Sequence, residues 1–389
     1  MNKYVIFFLI LAYCNFFGQG QIKEVFLHSK MNGTKTLPNG NEVEFWGYGI
    51  LDPTNGTAKA ELPAPTLRFN QGDTAIIHLF NASPESHTIH WHGLDVDQAN
   101  DGVGHTSQII LPNSSYTYQF NCDNAGTYLY HCHVLTPLHL AMGMYGLVIV
   151  QSQDSLAFYD SNNQFTKEYS YLFSEMNTSW NDNPLSPGPF HLYEADYLMV
   201  NGESELDPEF EENNIYALLT DTLGFRVANI GYGKVTVDFP SELVVRVVGS
   251  DGRLIPDIFS NSIEIYPGER FEIIAYPTVR FAGVINVTYY DLRGGDVLGM
   301  NNINVDIESL NVHEMGIEDD VKIYPIPADN QITFSDSRFV GYPYSLYSSS
   351  GIIICNSILQ ENNSINISSY PKGFYFLEIN GIRLKILKN

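Results

Sequence analysis

The sequence predicts an all-β chain that forms two β-sandwiches followed by a third, smaller one. Aromatic residues make up 13% of the 389 residues, and 31 Gly and 19 Pro interrupt the chain often. This composition favours short strands joined by turns. Apolar and polar residues alternate in runs such as 74–80 and 116–120, which is the period of a half-buried strand. No helical stretch of about 10–15 residues separates the strand-like runs, which argues against a parallel α/β fold.

Changes of composition along the chain predict five segments. Residues 1–20 contain the apolar run Tyr4–Cys14, which is typical of a secretory signal peptide and too short to span a bilayer. A lipoprotein anchor at Cys14 is the alternative, but bulky Tyr13 stands where a small residue is expected. The polar stretch 151–163 marks a boundary. The predicted segments are a signal peptide at 1–20, a first sandwich at 21–153, a second sandwich at 154–310, a linker at 311–320 and a small sandwich at 321–389.

The chain is strongly acidic, with 44 Asp and Glu against 20 Lys and Arg and a formal net charge of −24. Phosphate contacts require a face rich in Lys and Arg, so this balance argues against nucleic-acid binding. The four cysteines are too few and too scattered for a disulfide framework. Motifs of hydrolases and nucleotide enzymes are absent from the sequence.

The segment after residue 320 has a pattern of its own. It opens with Ile323-Tyr-Pro-Ile-Pro-Ala-Asp-Asn330 and continues with the hairpin-like run 370–377. It closes with a basic end, Lys385-Ile-Leu-Lys-Asn389. These features, in this order, resemble the C-terminal sorting domain of type IX secretion cargo. The resemblance implies export through the periplasm by the type IX secretion machinery, to the cell surface or the medium.

Six of the 11 histidines fall in two short clusters, His87–Gly93 and Gly126–Met144. Side chains alternate between the two faces of a strand, so the parity of each position predicts which side chains point together. Two groups are expected back to back. The thiol group contains His87, Cys132, His139 and a methionine. The imidazole group contains His90, His92, His131 and His133.

A cysteine, two histidines and a distant methionine form the ligand set of a blue (type 1) copper site. Met144, five residues after His139, is the expected axial ligand, with Met142 as the alternative. The imidazole group suits copper that is open to oxygen ligands. A single His-x-His in a strand is more often an ordinary half-buried pair, and a lone Cys is more often a small core residue. Here four sequence elements occur in the expected order, and their strand positions place the side chains on the expected faces, which favours a metal site. The other acids and histidines considered are expected to be structural or solvated: Asp95, Asp97, Asp101, His28, His78, His105, His191 and His313.

The segments around these clusters resemble the plastocyanin-like first domain of multicopper oxidases. The matching segments are 63–73, His87–Gly93, Asp101–Gln108 and Gly126–His133. A weaker similarity over 165–300, which includes Pro267-Gly-Glu-Arg270, is to the copper-free cupredoxin domain of that family. The resemblance implies two cupredoxin-like Greek-key sandwiches. It also implies that electrons from a small-molecule or protein donor pass from a type 1 copper through the His-Cys-His segment to a cluster that reduces dioxygen to water. The implied type 1 ligands are His87, Cys132, His139 and Met144, and the implied cluster ligands are His90, His92, His131 and His133.

Two departures from the family pattern bear on function. His139 follows Cys132 by seven residues, where many members have five, and the chain supplies four of the family's eight cluster histidines. The second sandwich contains only His191. We expect a multicopper-oxidase-like oxidoreductase. If it is a true oxidase, the other half of the cluster must come from another chain, either a second copy in a homo-oligomer or a different partner. The alternatives are a non-catalytic blue-copper electron carrier, a nitrite-reductase-like copper enzyme and, last, a copper-free adhesive protein.

Overall fold

The computed structural model describes residues 20–154, 156–309, 323–335, 337–348, 353–379 and 382–389. Contacts divide the chain into two compact units, Met1–Ser309 and Leu310–Asn389. The predicted signal peptide (1–20), apart from its last residue, and the predicted linker (311–320) lie outside the described residues.

Two four-stranded sheets form the first sandwich. Its elements are β1 (Ile22–Thr36), β2 (Glu42–Ile50), β3 (Ala64–Asn70), β4 (Thr74–Asn81), β5 (His90–His92), β6 (Ser115–Asn121), β7 (Gly126–His131), helix α1 (Thr136–Ala141) and β8 (Tyr145–Gln151). The sheet orders are β2-β1-β4-β6 and β3-β8-β7-β5. β4 alternates between half-buried and buried positions, as its sequence predicts. β7 is buried at every position because both of its faces are covered.

The second sandwich consists of a six-stranded and a five-stranded sheet. Its elements are β9 (Lys167–Met176), α2 (Thr178–Asp182), β10 (Tyr197–Val200), β11 (Ile215–Leu218), β12 (Leu223–Asn229), β13 (Val235–Asp238), β14 (Leu243–Ser250), β15 (Arg253–Phe259), β16 (Ser262–Ile265), β17 (Arg270–Pro277), β18 (Phe281–Tyr290) and β19 (Val297–Glu308). The orders are β10-β9-β12-β17-β14-β15 and β11-β19-β18-β13-β16. Short 3-10 turns lie at Ser161–Asn163, Phe190–Leu192 and Pro208–Asn213.

An apolar cluster joins the two sandwiches. Leu129 and Leu147, on the outer face of the first sandwich, pack with Leu172, Ala228 and Ile230 of the second. The two sandwiches therefore form one compact unit, and their boundary at residues 153/154 stays a prediction.

Buried charges lie beside this cluster. Glu272 accepts hydrogen bonds from the Thr127 amide at 2.6 Å and the Tyr159 hydroxyl at 2.5 Å. Arg226 lies 4.0 Å from Glu272 and donates to Glu168 at 2.9 Å. Because an unpaired buried charge is costly, these groups fix the alignment of β7 on β12 and β17.

The second unit is a small sandwich with its own core. Its elements are β20 (Ile323–Tyr324), β21 (Gln331–Phe334), a 3-10 turn (Ser337–Phe339), β22 (Pro343–Ser348), β23 (Ile353–Ile358), β24 (Ser364–Asn366), β25 (Gly373–Ile379) and β26 (Ile382–Lys388). Its sheet orders are β20-β21-β24 and β23-β22-β25-β26.

The predicted all-β class is confirmed. The two α-helices of the described chain have six and five residues. A search of the described residues found no helix with the length and apolar character needed to cross a membrane.

Substitution of the buried arginine tests the role of the charged network. We expect Arg226→Gln to lower the free energy of unfolding by about 3 kcal/mol, because it leaves carboxylates without their cation. Arg68, whose side chain is 45% exposed, is the matched control because it contacts the same Glu168 at 2.9 Å. Arg68→Gln is expected to cost less than about 1 kcal/mol. Urea denaturation measures both, and equal losses would contradict the assignment.

Candidate metal centre

Strand pairing brings the two histidine clusters together. β5 runs antiparallel to the end of β7, with His90 opposite His131 and Trp91 opposite Tyr130. Because side chains alternate, the two histidines face one side of the sheet, and Trp91 and Tyr130 face the other. Cys132 continues the alternation on the Trp91 side. The structure therefore places the thiol group and the imidazole group back to back.

The thiol group lies inside the first sandwich. The ligand atoms of His87, Cys132 and His139 lie within 4.8 Å of one another, and all three residues are fully buried. Cys132 Sγ lies 3.1 Å from His139 Nδ1 and 3.5 Å from His87 Nδ1. Both imidazoles thus turn the same nitrogen towards the sulfur, and the three atoms converge on one point.

The protonation of this group fits a copper ion. Burial lowers the pKa of His139 to about 4, and burial together with His139 lowers that of His87 to about 3. Both rings are therefore neutral and have a lone pair to donate. In the part of the chain that the structure describes, their Nε2 atoms are buried without a hydrogen-bond partner. Glu85 approaches His139 Nε2 only to 3.5 Å, which is long for a hydrogen bond. Two neutral imidazoles and a sulfur form a donor set that suits copper.

A short helix accounts for the long spacing between Cys132 and His139. α1 occupies residues 136–141, and His139 lies on its buried side. The chain returns so that the Cys132 amide donates to the Met144 carbonyl at 3.1 Å and the Met144 amide donates to the His139 carbonyl at 3.0 Å. The Met142 carbonyl instead accepts from Trp46 at 2.8 Å. Both methionines are fully buried, and the backbone bonds favour Met144 as the neighbour of Cys132.

The imidazole group lies on the opposite face, and the structure brings three of its four members close. Ligand atoms of His90, His92 and His131 lie within 4.8 Å of one another, with His92 Nδ1 3.4 Å from His131 Nε2. Burial lowers the pKa of His131 to about 3; burial and then Arg270 lower that of His92 to about 4. The His133 ring borders this group, since its centroid lies 5.3 Å from that of His90, compared with 5.8 Å between His90 and His92, but its ligand atoms are not within 4.8 Å of all the others.

Asp101 differs from the expectation of a solvated loop acid. His90 Nδ1 lies 2.8 Å from the Asp101 backbone carbonyl and 3.3 Å from its carboxylate. The carbonyl accepts the Nδ1 proton, which leaves Nε2 of His90 free to bind a metal. Asp101 is still partly exposed, but residues 101 and 102 pack against residues 89 and 90, a contact that sequence spacing does not reveal.

The second sandwich contributes an arginine rather than histidines to this group. Arg270 is 3% exposed and is held by Asp251 at 2.8 Å and by the Gly268 carbonyl at 2.7 Å. A Cβ on Gly93 would lie 2.1 Å from Arg270 Nη2, so glycine after His92 is required for this approach. The motif that contains Arg270 was visible in the sequence, but its place beside His92 was not.

A second contact from the same sandwich supports α1. The buried carboxylate of Glu175 accepts hydrogen bonds from the amides of Tyr232 and Gly233, and the Tyr232 hydroxyl donates to the Pro137 carbonyl. The helix that carries His139 is therefore fixed from outside the first sandwich. No local sequence signal marked these residues.

The remaining histidines lie apart from both groups. His78 stacks on Phe26 at 4.5 Å, and His28 packs near Phe80 at 5.1 Å. His105 and His191 are exposed. His313 lies outside the described residues.

Proton release on metal binding follows from these protonation states. Burial raises the pKa of the Cys132 thiol to about 11, whereas His87 and His139 are already neutral. We expect anaerobic titration with cuprous ions at neutral pH to release about one proton per chain, with affinity rising as the pH rises towards the thiol pKa. A pH indicator in weakly buffered solution measures the release.

Two cysteine variants provide the comparison. Cys132→Ser is expected to release no proton. The control Cys122→Ser removes a buried free thiol outside the group and is expected to match the wild type. Release of several protons would contradict the neutral state of the histidines.

Comparisons with known proteins agree with this geometry. Residues 54–155 match the multicopper oxidase family model, and residues 322–389 match that of the secretion system C-terminal sorting domain. The L-ascorbate oxidase of Cucumis sativus is 24% identical over 272 residues, 60% of this chain and 43% of that enzyme. The chain thus spans less than half the length of this relative.

Solved structures share the fold. The blue copper oxidase from Nitrosomonas europaea matches with a TM-score of 0.58 and 23% identity, covering 75% of this chain and 86% of that one. The copper nitrite reductase from the same organism matches with a TM-score of 0.57 and 21% identity, covering 75% and 95%. Residues 54–155 thus match a multicopper oxidase domain and residues 322–389 match a secretion-system sorting domain, and the proteins that the first segment resembles are copper oxidases.

Proposed function

We propose that the protein is an exported copper oxidoreductase of the multicopper oxidase type. The observation that carries the proposal is the pair of back-to-back groups joined through residues 131–133. Copper at these groups would supply one-electron transfer on the Cys132 side and dioxygen reduction on the histidine side. The electron donor is a small molecule or a protein.

The proposed type 1 ligands are His87, Cys132, His139 and Met144. The buried surroundings exclude water from the thiol, and His139 is held in place by α1. Both Nδ1 atoms lie within 3.5 Å of the sulfur. The chain thus imposes the donor geometry in advance.

The proposed ligands of the oxygen-reacting copper are His90, His92, His131 and His133. His131 and His133 are bonded to Cys132 on either side, which provides a short covalent path for electrons. Asp101 orients His90. Arg270 of the second sandwich lies beside Gly93 and lowers the pKa of His92, and residues 156–309 bring no histidine to this group. Further ligands therefore come from a second chain, either another copy or a different protein.

An electron carrier is the main alternative, favoured by the shortage of ligands. In residues 156–309, the described part of the second sandwich, the only histidine is His191, in an exposed turn. Without a partner, the imidazole group would bind a labile ion at most. A nitrite-reductase-like enzyme is the other alternative. It is favoured because the structural match covers 95% of the copper nitrite reductase chain.

Absorption spectra test the thiol site. The copper-loaded full-length protein is expected to be intensely blue, since a Cys132 thiolate bound to Cu(II) gives a strong charge-transfer band. Cys132→Ser is expected to abolish the colour with the fold retained in circular dichroism. Cys122→Ser, which removes a thiol of equal burial elsewhere in the sandwich, is expected to stay blue. A colourless, copper-loaded wild type would contradict the type 1 site.

Turnover assays on size-fractionated protein separate the three functions. Oxygen uptake with a reducing dye supports the oxidase, and uptake confined to an oligomeric fraction supports ligands from a second copy. Nitrite reduction would support the reductase instead. A blue protein inert to both at every concentration is an electron carrier.

Deletion of residues 322–389 tests the proposed export route. The sorting domain has its own core, so its removal is expected to leave the copper content and blue band unchanged while the protein accumulates in the periplasm. Cell fractionation with immunoblotting measures this. Normal release of the truncated protein would contradict a role of this domain in sorting.

A further inference from the structure

A continuous row of oxidisable side chains crosses the first sandwich. It begins at Cys132, whose thiol interacts with the Tyr48 hydroxyl. The next ring centroids are separated by 5.7 Å (Tyr48 to Tyr130), 5.9 Å (Tyr130 to Trp91), 5.6 Å (Trp91 to Tyr118) and 4.9 Å (Tyr118 to Tyr116). We propose that this row carries single electrons between the Cys132 site and the protein surface at Tyr116. The proposal rests on the proposed type 1 site.

The chemistry of the row is unusual for a core. Phenylalanine would fill the same space, but phenol and indole rings are far more easily oxidised by one electron. A buried phenol also needs a hydrogen-bond partner. The Tyr48 hydroxyl donates to the Thr88 carbonyl at 2.6 Å and that of Tyr130 to the Pro65 carbonyl at 2.7 Å. Oxidisable rings are thus kept inside the sandwich although they require dedicated polar partners.

Trp91 lies at the centre of the row. It is fully buried, and its Nε1 proton has no acceptor among the residues that the structure describes. It therefore passes on an electron without losing a proton. Its ring contacts Tyr130 on one side and Tyr118 on the other, so it connects the two halves of the row.

Tyr116 is the outer end. It is half-buried on β6, and its hydroxyl donates to the Ala99 carbonyl at 3.0 Å. When Tyr116 supplies one electron to an oxidised site, its phenolic proton passes to water and a phenoxyl radical remains. A small diffusible reductant, such as ascorbate, then returns one electron and one proton. When no electron donor is bound, the row would thus supply an electron from the surface to an oxidised site in the interior.

Flash oxidation of the copper-loaded full-length protein tests the row. The type 1 site is first reduced, and light then generates a ruthenium(III) tris-bipyridine oxidant in solution with a cobalt(III) ammine as acceptor. Growth of the blue band reports electron loss from the site. Its direct oxidation depends on ruthenium concentration, whereas transfer along the row is first order and independent of it.

The variants keep a ring at each position but remove its redox activity. Tyr116→Phe is expected to abolish the first-order phase. Trp91→Phe and Tyr118→Phe are each expected to slow it by about tenfold or more, equivalent to about 1.4 kcal/mol of barrier. Trp91→Phe changes a residue between two proposed ligands, and Tyr118→Phe removes the hydrogen bond that the Tyr118 hydroxyl accepts from the Ile89 amide at 2.9 Å. Tyr116→Phe lies further from the ligands and remains informative if either of these variants disturbs folding. Tyr266→Phe, at an exposed tyrosine outside the row, is expected to leave the phase unchanged.

Two failures are distinguishable. A wild type that binds copper without a blue band contradicts the type 1 site and the row with it. A blue wild type with no first-order phase, or with the same phase in all four variants, contradicts the row alone.

Discussion

The alternation of side chains along residues 130–133 is the constraint on which both groups depend. Consecutive residues of an extended chain point to opposite faces, so Cys132 enters the sandwich interior while His131 faces outwards with His90. One peptide segment therefore separates the buried thiol group from the imidazole group. A shift of one residue in the pairing of β5 with β7 would exchange the faces and dismantle both groups.

Burial controls the chemistry of these groups more than charge does. His87, His92, His131 and His139 have lowered pKa values chiefly because they are removed from water, and the same burial keeps the Cys132 thiol protonated. The chain carries a net charge of −24, yet the closest carboxylates, Glu85 and Asp101, lie at the edges of the groups rather than inside them. The neutral imidazoles therefore have lone pairs available to a metal, whereas a metal that binds the Cys132 sulfur must displace its proton.

The sequence predicted the features that depend on local periodicity. Parity alone placed Cys132 opposite His131, and strand signals predicted the all-β class. What it could not predict depends on contacts between distant segments: the place of Asp101 against His90, the position of His133 outside the group of three, and the support of α1 by Tyr232. Arg270 lies in a motif that was recognised, but 178 residues separate it from His92, and only the packing of one sandwich on the other reveals that they lie near each other.

Arg270 lies beside Gly93 and acts electrostatically on His92, so the histidine site lies at the interface between the two sandwiches. Any rotation of one sandwich against the other would move this arginine across the site, so metal affinity and interdomain rigidity are thermodynamically linked. A ligand that binds more tightly to the aligned arrangement stabilises the interface between the sandwiches. A substitution that destabilises this arrangement weakens ligand binding by the same free energy. A metal bound at the histidine site would therefore stabilise the packing of one sandwich on the other. Substitutions elsewhere on this interface would change the affinity of the site for the metal.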